Sequence, residues 1–560
     1  MARYFKEFND EKWEQVRTHP YFAKLRENNR ALAEKYINST PKERKFSDLH
    51  LYVTTGNREK YQNVQNEYES RMTTFFLEYM ITQDEEYLVH LADAIWSVCD
   101  MESWSIPAHV SEELSIAERR RNLDLCSTII GFRMSEILYF IGDKLPELVV
   151  RRAKAEIRYR IIDSYKDATT KRYWWLKSTN NWSAVCIAAV LCTYMYAAEK
   201  WEIDTQLPRM IDSAECYLAG FSDDACCVEG YGYWNYGFSF FCVFASMLNE
   251  YTEGRINYFE NEKVKNIARF QEKITLNEHQ CVSFSDGPIN FRPLAWLSHF
   301  LKGVYPDLRI PAIPASSGGG SPMRYVLWQN PDMTESSLNA SEPVSMAFEE
   351  TQWFIYRSPA YAFACKGGHN NEPHNHNDIG SFIISKGDGV TFIDPCGGEY
   401  TQQYFSAKRY EYMVTSSRGH SVPIINGELQ STGTKKAIIT AHTDTRYAFD
   451  MECGYRIPEL ARLNRDFVMG GEEITLTDTY EFTEKPKSVT ERFVSLRPIT
   501  VEEGRVLCGD SLLLFDAEKF TPTLGSEEVS RSGGKRETVY YVDLAVNSPE
   551  KDMTLTFTFK

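Results

Sequence analysis

Over residues 1 to 315 the apolar positions recur at intervals of three and four, the spacing of a single helical face. The stretches VQNEYESRMTTFFLEYMITQ, EEYLVHLADAIWSVCDM, DLCSTIIGFRMSEILYFIGDKL, NWSAVCIAAVLCTYMYAAEK and FSFFCVFASMLNEY all follow it. Several are apolar nearly all round, as the inner helices of a layered assembly must be. Proline, serine and glycine then crowd IPAIPASSGGGSP, residues 310 to 322, and mark a linker or long loop. Beyond it the period falls to two. QWFIYRSPAYAFACKGG, SFIISKGDGVTFIDPCGG, EEITLTDTYEF, ETVYYVDLAV and DMTLTFTFK alternate apolar with polar residues or run β-branched and aromatic, with turns such as GDG and MGGEE between strands. Helices followed by strands, not interleaved with them, exclude a doubly wound sheet. The pattern predicts a helical domain over 1–315, a linker region over 316–342 and an antiparallel β domain over 343–560. No short repeat stands out, and a ring of helical hairpins needs none.

Composition changes this picture little. The 560 residues suit two large domains, and 43% hydrophobic with 25% charged residues is ordinary for a globular chain. The net charge of -16 disfavours a nucleic-acid surface, which needs a basic stripe, so any anionic substrate must meet local positive charge. The N-terminal MARYFKEFNDEKWEQVRTHPYF lacks the apolar core of a signal peptide, and no run of about 18 apolar residues is uninterrupted. Thirteen scattered cysteines without a CxxC pair fit reduced, buried thiols. Together these predict a cytoplasmic protein with no membrane segment. A chain whose leader had been removed would read the same way.

Chemistry concentrates in GGHNNEPHNHNDIGSF, residues 367 to 382. Read as the opening of a strand, it puts His374, His376 and Asp378 on one face and Asn375 and Asn377 on the other. Four of the eleven histidines fall between 369 and 420, the last being His420. Burying several imidazoles costs desolvation unless partners are supplied, which favours a functional cluster over a plain turn network.

With FIDPCGG and SSRGHSVPIING, this block resembles the β-domain signature of the heparinase II/III-like polysaccharide lyases. STNNWSAVC (178–186) and EGYGYWNYG (229–237) resemble two motifs of the helical half of those enzymes. The resemblance implies an N-terminal (α/α) toroid followed by a C-terminal antiparallel β-sandwich. It also implies a lyase that breaks the bond to O4 of a uronic acid by β-elimination. Glycosaminoglycans such as heparin, heparan sulfate, hyaluronan and chondroitin are the expected substrates, with alginate as the alternative, and short imported chains would favour exolytic action. The partner is then an anionic, uronic-acid-containing oligo- or polysaccharide; a homodimer is left open.

Elimination needs a donor to the C6 carboxylate, a base for the C5 proton and an acid for the departing O4. The resemblance gives Asn181 the first role, with Asn180 as the N-cap of the following helix. It gives proton transfer to Tyr233, or to Tyr236 one turn on, and makes His374 a base or a neutraliser of the carboxylate. Family members often carry a histidine after the asparagine; Trp182 stands there in this chain, so His374 and the tyrosines must share the transfers. His376, Asp394 and His420 match metal-holding positions, and the expected ion is structural, zinc or, with more oxygen ligands, manganese. The alternative is a metal-free polar network. A hairpin at GDG would leave Asp394 roughly 20 Å along an extended strand from His376, so the chain must bend. Asp378 and Glu372 are expected as partners of the histidines.

Other candidates for contact with sugar are Asn180 and Trp182, Trp104 and His109 at the proline break of ESWSIPAH, and Arg418, which with Arg409 flanks the His420 segment. All eleven tryptophans lie at or before Trp353, which places a sugar platform on the helical half. Two competing functions are a glycoside hydrolase using two carboxylic acids drawn from Glu229, Asp223 and Asp224, and a carbohydrate-binding protein without activity.

Overall fold

The computed structural model describes residues 4–277, 279–288, 290, 292–311, 313, 315, 323–333, 335–337, 343–387 and 389–560. The chain forms two compact units.

The helical unit comprises Met1–Phe221, Trp234–Ala268 and Pro293–Ser337. Each stretch with helical spacing is a helix: Glu59–Thr82, Glu86–Cys99, Leu125–Ile141, Asn181–Ala197 and Tyr231–Tyr251. The first two form a hairpin that turns at Gln83, whose left-handed φ of 59° ends the first helix. Asn181–Ala197 has 15 buried residues and lies between Leu125–Ile141 and Lys200–Ala219, the inner position its all-round apolarity predicts. Among the described residues one stretch, Leu125–Lys144, is long and apolar enough to cross a membrane, and 61% of its apolar window is buried inside the protein. The expected linker lies partly outside the described residues, at 316–322, 334 and 338–342. The turn Arg324–Leu327 within it is buried in the helical unit, where the Arg324 guanidinium pairs with Glu136 and stacks 4.1 Å over Phe5.

The strand-rich unit comprises Leu338–Lys560 together with two segments from earlier in the chain, Ser222–Tyr233 and Arg269–Arg292. Its main part is a sandwich of antiparallel sheets. One sheet runs in sequence order through Val344–Phe348, Trp353–Arg357, Ala362–Lys366, Phe382–Lys386 and Gly389–Phe392. An eight-stranded sheet has Leu460–Met469, Ile474–Phe482 and Asp552–Phe559 side by side, with Leu476 opposite Phe557. Along Ile474–Phe482 every second residue is buried, and the apolar ones face Phe354, Phe363, Phe382 and Phe392 in a common core. A four-stranded sheet adds Phe520–Arg531, Lys535–Val546, Val489–Ser495 and Ile424–Ile425.

Candidate functional site

The histidine block is a loop, not the strand its alternation suggests. The chain leaves the five-stranded sheet after Lys366 and rejoins it at Phe382. Two backbone hydrogen bonds close its base, Lys366 N–H donating to Ser381 O at 3.1 Å and Gly380 N–H to Lys366 O at 2.8 Å. Gly368 (φ +71°) and Gly380 (φ +94°) form its corners in left-handed backbone that glycine adopts without steric cost. Glycine, proline and asparagine prefer such turns to a ladder, and this outweighs the two-residue period. His374 itself has φ +58°, a strained value for a side-chain-bearing residue, and its ring is fixed from several sides.

The fixing group is Asp286, whose side chain is fully buried. Its carboxylate accepts from His374 Nδ1 at 2.6 Å, His376 Nε2 at 3.1 Å, Tyr404 Oη at 2.6 Å, Tyr400 Oη at 3.0 Å and Arg409 Nη2 at 3.1 Å. Burial alone would raise this carboxyl, but the bonds from His374 and His376 and the charge of Arg409 hold it well below the usual carboxylate range. Asp286 belongs to a tight turn pressed against Gly230 of the EGYGYWNYG motif. A Cβ on Gly230 (φ +96°) would lie 2.8 Å from Gly287 Cα, so only glycine lets the two segments approach.

Tyr233 follows in the first turn of the Tyr231–Tyr251 helix. Its ring centroid is 4.2 Å from that of His374, and its hydroxyl is 2.8 Å from that of Tyr400. A carboxylate only accepts, so Tyr400 gives its proton to Asp286 and its oxygen accepts the proton of Tyr233. That order leaves lone pairs on Tyr233 Oη for a ligand. Burial pushes the Tyr233 phenol well up; the Tyr400 bond opposes this, while Asp286 and Glu229 add to it, so the group is protonated at neutral pH. With Nδ1 of His374 committed to Asp286, Nε2 is the atom that can meet a reactant, and it lies 3.4 Å from Glu229 Oε2. Burial raises the Glu229 carboxyl, against the pull of His374.

Next to this group, His376, Asp378, Asp394 and His420 are all fully buried and offer ligand atoms within 4.8 Å of one another. The bend required of the chain is supplied by the loop, which brings His376 Nδ1 to 3.9 Å from Asp394 Oδ1. His376 Nε2 is bonded to Asp286, and His420 Nε2 donates to Val414 O at 2.9 Å. These bonds turn both Nδ1 atoms inward, and neither has a hydrogen-bond partner. His420 Nδ1 stands 3.0 Å from Asp394 Oδ2, close but without hydrogen-bond geometry. Lone pairs facing a carboxylate in a buried space fit a cation: tetrahedral zinc would hold such atoms about 3.3 Å apart. Burial pushes His376 down to about 4, into the neutral form a metal ligand needs. His420 shifts upward, because Asp394 and Asp378 outweigh burial, and this is the protonated pair that a metal-free network would contain. Asp378 has the buried Lys366 ammonium at 2.6 Å and lies 3.9 Å from His420 Nδ1, so it borders the set of His376, Asp394 and His420 as a fourth carboxylate partner.

The other predicted residues are distributed unevenly. Asn180 caps its helix by accepting from Trp182 N–H at 3.1 Å, as expected. Asn181 is buried in the first turn of that helix, packed against Gly237, where a Cβ would come within 3.0 Å of the asparagine's own. Tyr236 belongs to the helical unit and is buried beside Cys126, Cys186 and Tyr325. Trp182 and His109 touch, with ring centroids 4.6 Å apart. Trp104 requires correction as a sugar contact: it is 1% exposed, its indole N–H donates to Val98 O, and Arg160 covers its face. Arg418 is spent on Glu527 at 3.2 Å, Arg409 points inward to Asp286, and Glu372 pairs with His369 rather than with the buried set. Asp224 accepts from the backbone N–H of Glu350, to whose carboxylate Asp223 N–H donates. Asp286, Tyr400 and Tyr404 escape sequence reading, since they lie 88, 114 and 118 residues from the partners that define them.

No family model matches the chain, and no curated protein does. Solved structures do. Heparinase III superposes with a TM-score of 0.64 at 12% identity, over 98% of this chain and 91% of that one. The fold is that of heparinase III. The heparan sulfate lyase HepC from Pedobacter heparinus gives 0.60 at 10% identity over 100% and 92% of the two chains. The chondroitin AC lyase of Streptomyces coelicolor A3 gives 0.58 at 9% over 98% and 81%. A toroid followed by an antiparallel sandwich, the order implied by the resemblance, is therefore the architecture of this chain.

Proposed function

We propose that the protein is a polysaccharide lyase that cleaves the 4-O-glycosidic bond of a uronic acid by β-elimination. The observation that carries this reading is the meeting of Tyr233 and His374 over Asp286, because it gives at the same place one protonated phenol and one imidazole whose Nε2, 3.4 Å from Glu229 Oε2, is not engaged by Asp286. His374 Nε2 takes the C5 proton; Tyr233, turning its O–H from Tyr400 to the sugar, gives its proton to O4 as the bond breaks, and the imidazolium afterwards returns a proton to the phenolate. The pairing of His374 Nδ1 with Asp286 orients the ring for the first step, as a carboxylate does for any catalytic imidazole. A hydrolase is less well supported: of its expected carboxylates Glu229 lies 3.4 Å from His374 Nε2, whereas Asp224 is taken up by the backbone N–H groups of Glu350 and Thr351, and hydrolysis needs two acids flanking one bond.

The superposed structures include a heparan sulfate lyase and a chondroitin lyase, which supports a glycosaminoglycan over alginate as substrate. Exolytic release of short products follows if the chain acts on imported oligosaccharides. We extend the proposal to one divalent ion, zinc or else manganese, held by His376, Asp394 and His420. When bound it supplies fixed positive charge that braces the loop bearing His374.

A panel of uronic acid oligosaccharides tests the reaction. Products should absorb in the ultraviolet through a new C4 to C5 double bond and gain no mass of water. Label from isotopic water at the cleaved bond would establish hydrolysis instead.

A further inference from the structure

The sandwich core holds a cluster of charge that packing alone does not call for. Along Leu460–Met469 the buried face reads Leu463, Arg465, Phe467 and Met469, so an arginine stands between apolar neighbours. Asp478 lies directly opposite it in Ile474–Phe482, and Glu491 enters from Val489–Ser495 in the four-stranded sheet. All three side chains are fully buried. Well-packed apolar residues in place of a buried ion cluster are often neutral or stabilising, because no charge then has to be stripped of water. Stability of the sandwich is therefore a weak reason for Arg465, and its hydrogen bonds supply a better one.

Nε and Nη2 of Arg465 donate to the Asp478 carboxylate at 2.9 and 2.6 Å, and Nη2 also reaches Glu491 Oε2 at 3.3 Å. Glu491 is steadied in turn by the Tyr480 hydroxyl, while burial and the nearby Asp478 push its carboxyl upward. Nη1 turns the other way and donates to two backbone carbonyls, Gly380 O at 2.9 Å and Ser421 O at 2.7 Å. All the N–H groups of the guanidinium are thus used. Gly380 closes the loop that bears His374 and His376, and Ser421 follows His420. The rings of His376 and His420 lie 5.3 Å apart between centroids, so one nitrogen ties the backbone of both segments where their side chains meet. The stem of Arg465 also packs beneath Gly380, where a Cβ would lie 3.5 Å from Arg465 Cδ. Ser421 is held from its other side, its hydroxyl accepting from Val494 N–H at 3.0 Å. The bidentate grip of Asp478 fixes the plane of the guanidinium, and with it the direction of Nη1.

We propose that Arg465 is a positioning residue for the elimination, which carries the rigidity of the sandwich core to the loop of His374 and to the His420 segment and sets the distance between them. Its effect on elimination rests on the lyase reading; the coupling of the two segments rests on the hydrogen bonds alone.

The test replaces the whole cluster, because Arg465→Met by itself would strand two buried carboxyls. A full chain carrying Arg465→Met, Asp478→Leu, Tyr480→Phe and Glu491→Met keeps the core filled and free of unpaired charge, and it should remain folded by circular dichroism. On a uronic acid oligosaccharide that the parent cleaves, its kcat should fall by about tenfold to hundredfold, the cost of displacing a reactive group by up to ~1 Å, while KM stays within about twofold. Arg465→Lys keeps the charge, gives up the planar fork and should lose kcat in the same direction. Imidazole ¹⁵N resonances, recorded without substrate, should move for His374, His376 and His420 in both variants and stay in place for His19, His50 and His90. A role in stability alone would move neither the kcat of the folded protein nor these resonances. Parent-like kcat in the fourfold variant, unmoved resonances of His374, or a fourfold variant that does not fold would each overturn the proposal, the last by making the charges a requirement of the core. A parent that eliminates nothing would sink the lyase reading alone, since the resonances still judge Arg465.

Discussion

Replacing Asp286 by asparagine keeps its shape and removes its charge, and the five donors around it then compete for one oxygen. Arg409 would be left buried beside a neutral amide, so Asp286→Asn should cost about 3 to 5 kcal/mol of stability in a denaturant titration. Turnover of the folded fraction should fall as well, since His374 loses the acceptor that fixes its ring. Tyr233→Phe removes the hydroxyl and keeps the ring stacked on His374. Oligosaccharide binding should survive while turnover drops on the order of 10² to 10⁴, with a similar loss for His374→Ala. The double variant should lose far less than the product of the two, because groups acting in one event are not additive. Full activity in Tyr233→Phe with none in Tyr236→Phe would move the acid one helical turn, into the helical unit.

At the scale of elements, the loop from Gly367 to Ser381 is the most informative piece. Gly380 (φ +94°) closes it, and a Cβ there would sit 2.6 Å from Met451 Sδ. Gly380→Ala should therefore lower stability by about 1 to 3 kcal/mol through backbone strain alone. If the loop carries the ion, the same change should lower metal content, measured by elemental analysis against about one ion per chain in the parent; His376→Ala should lower both further. A metal-free, fully stable parent would remove the ion from the proposal. The same loop shows where sequence reading stops. The helices and strands were legible because a buried face repeats at 3.6 or 2 residues, and Asn181–Ala197 even announced its inner position by lacking a polar side. HNHND has the period of a strand for another reason: alternate residues turn toward Asp286 and the inward-facing Nδ1 cluster. Asp286 itself was illegible, because an acid in a serine, aspartate and glycine turn has no pattern, and its partners are fixed only by tertiary folding.

At the scale of the molecule, two cores coexist in one chain, and the expected ion belongs to one of them. Binding free energy adds to the folding free energy of the unit that holds the site. Treatment with a chelator should then lower the unfolding temperature of the strand-rich unit and leave that of the helical unit in place. Calorimetry alongside circular dichroism in the helical band would separate the two. Equal movement of both, or of neither, would argue against a metal held by His376, Asp394 and His420.

The membership of the strand-rich unit bears on how such a chain can be taken apart. Glu229, Tyr233 and Asp286 reach it from Ser222–Tyr233 and Arg269–Arg292, upstream of the sandwich. A fragment starting at residue 343 would retain His374, His376, Tyr400, Tyr404 and Arg409 and lose the carboxylate that all five share. Recombination at the glycine-rich stretch would pair those five with whatever residue another parent supplies in place of Asp286. The unit of inheritance for this chemistry is thus longer than the sandwich, and gene fusions or chimaeras cut at that stretch should be inactive even when both pieces fold.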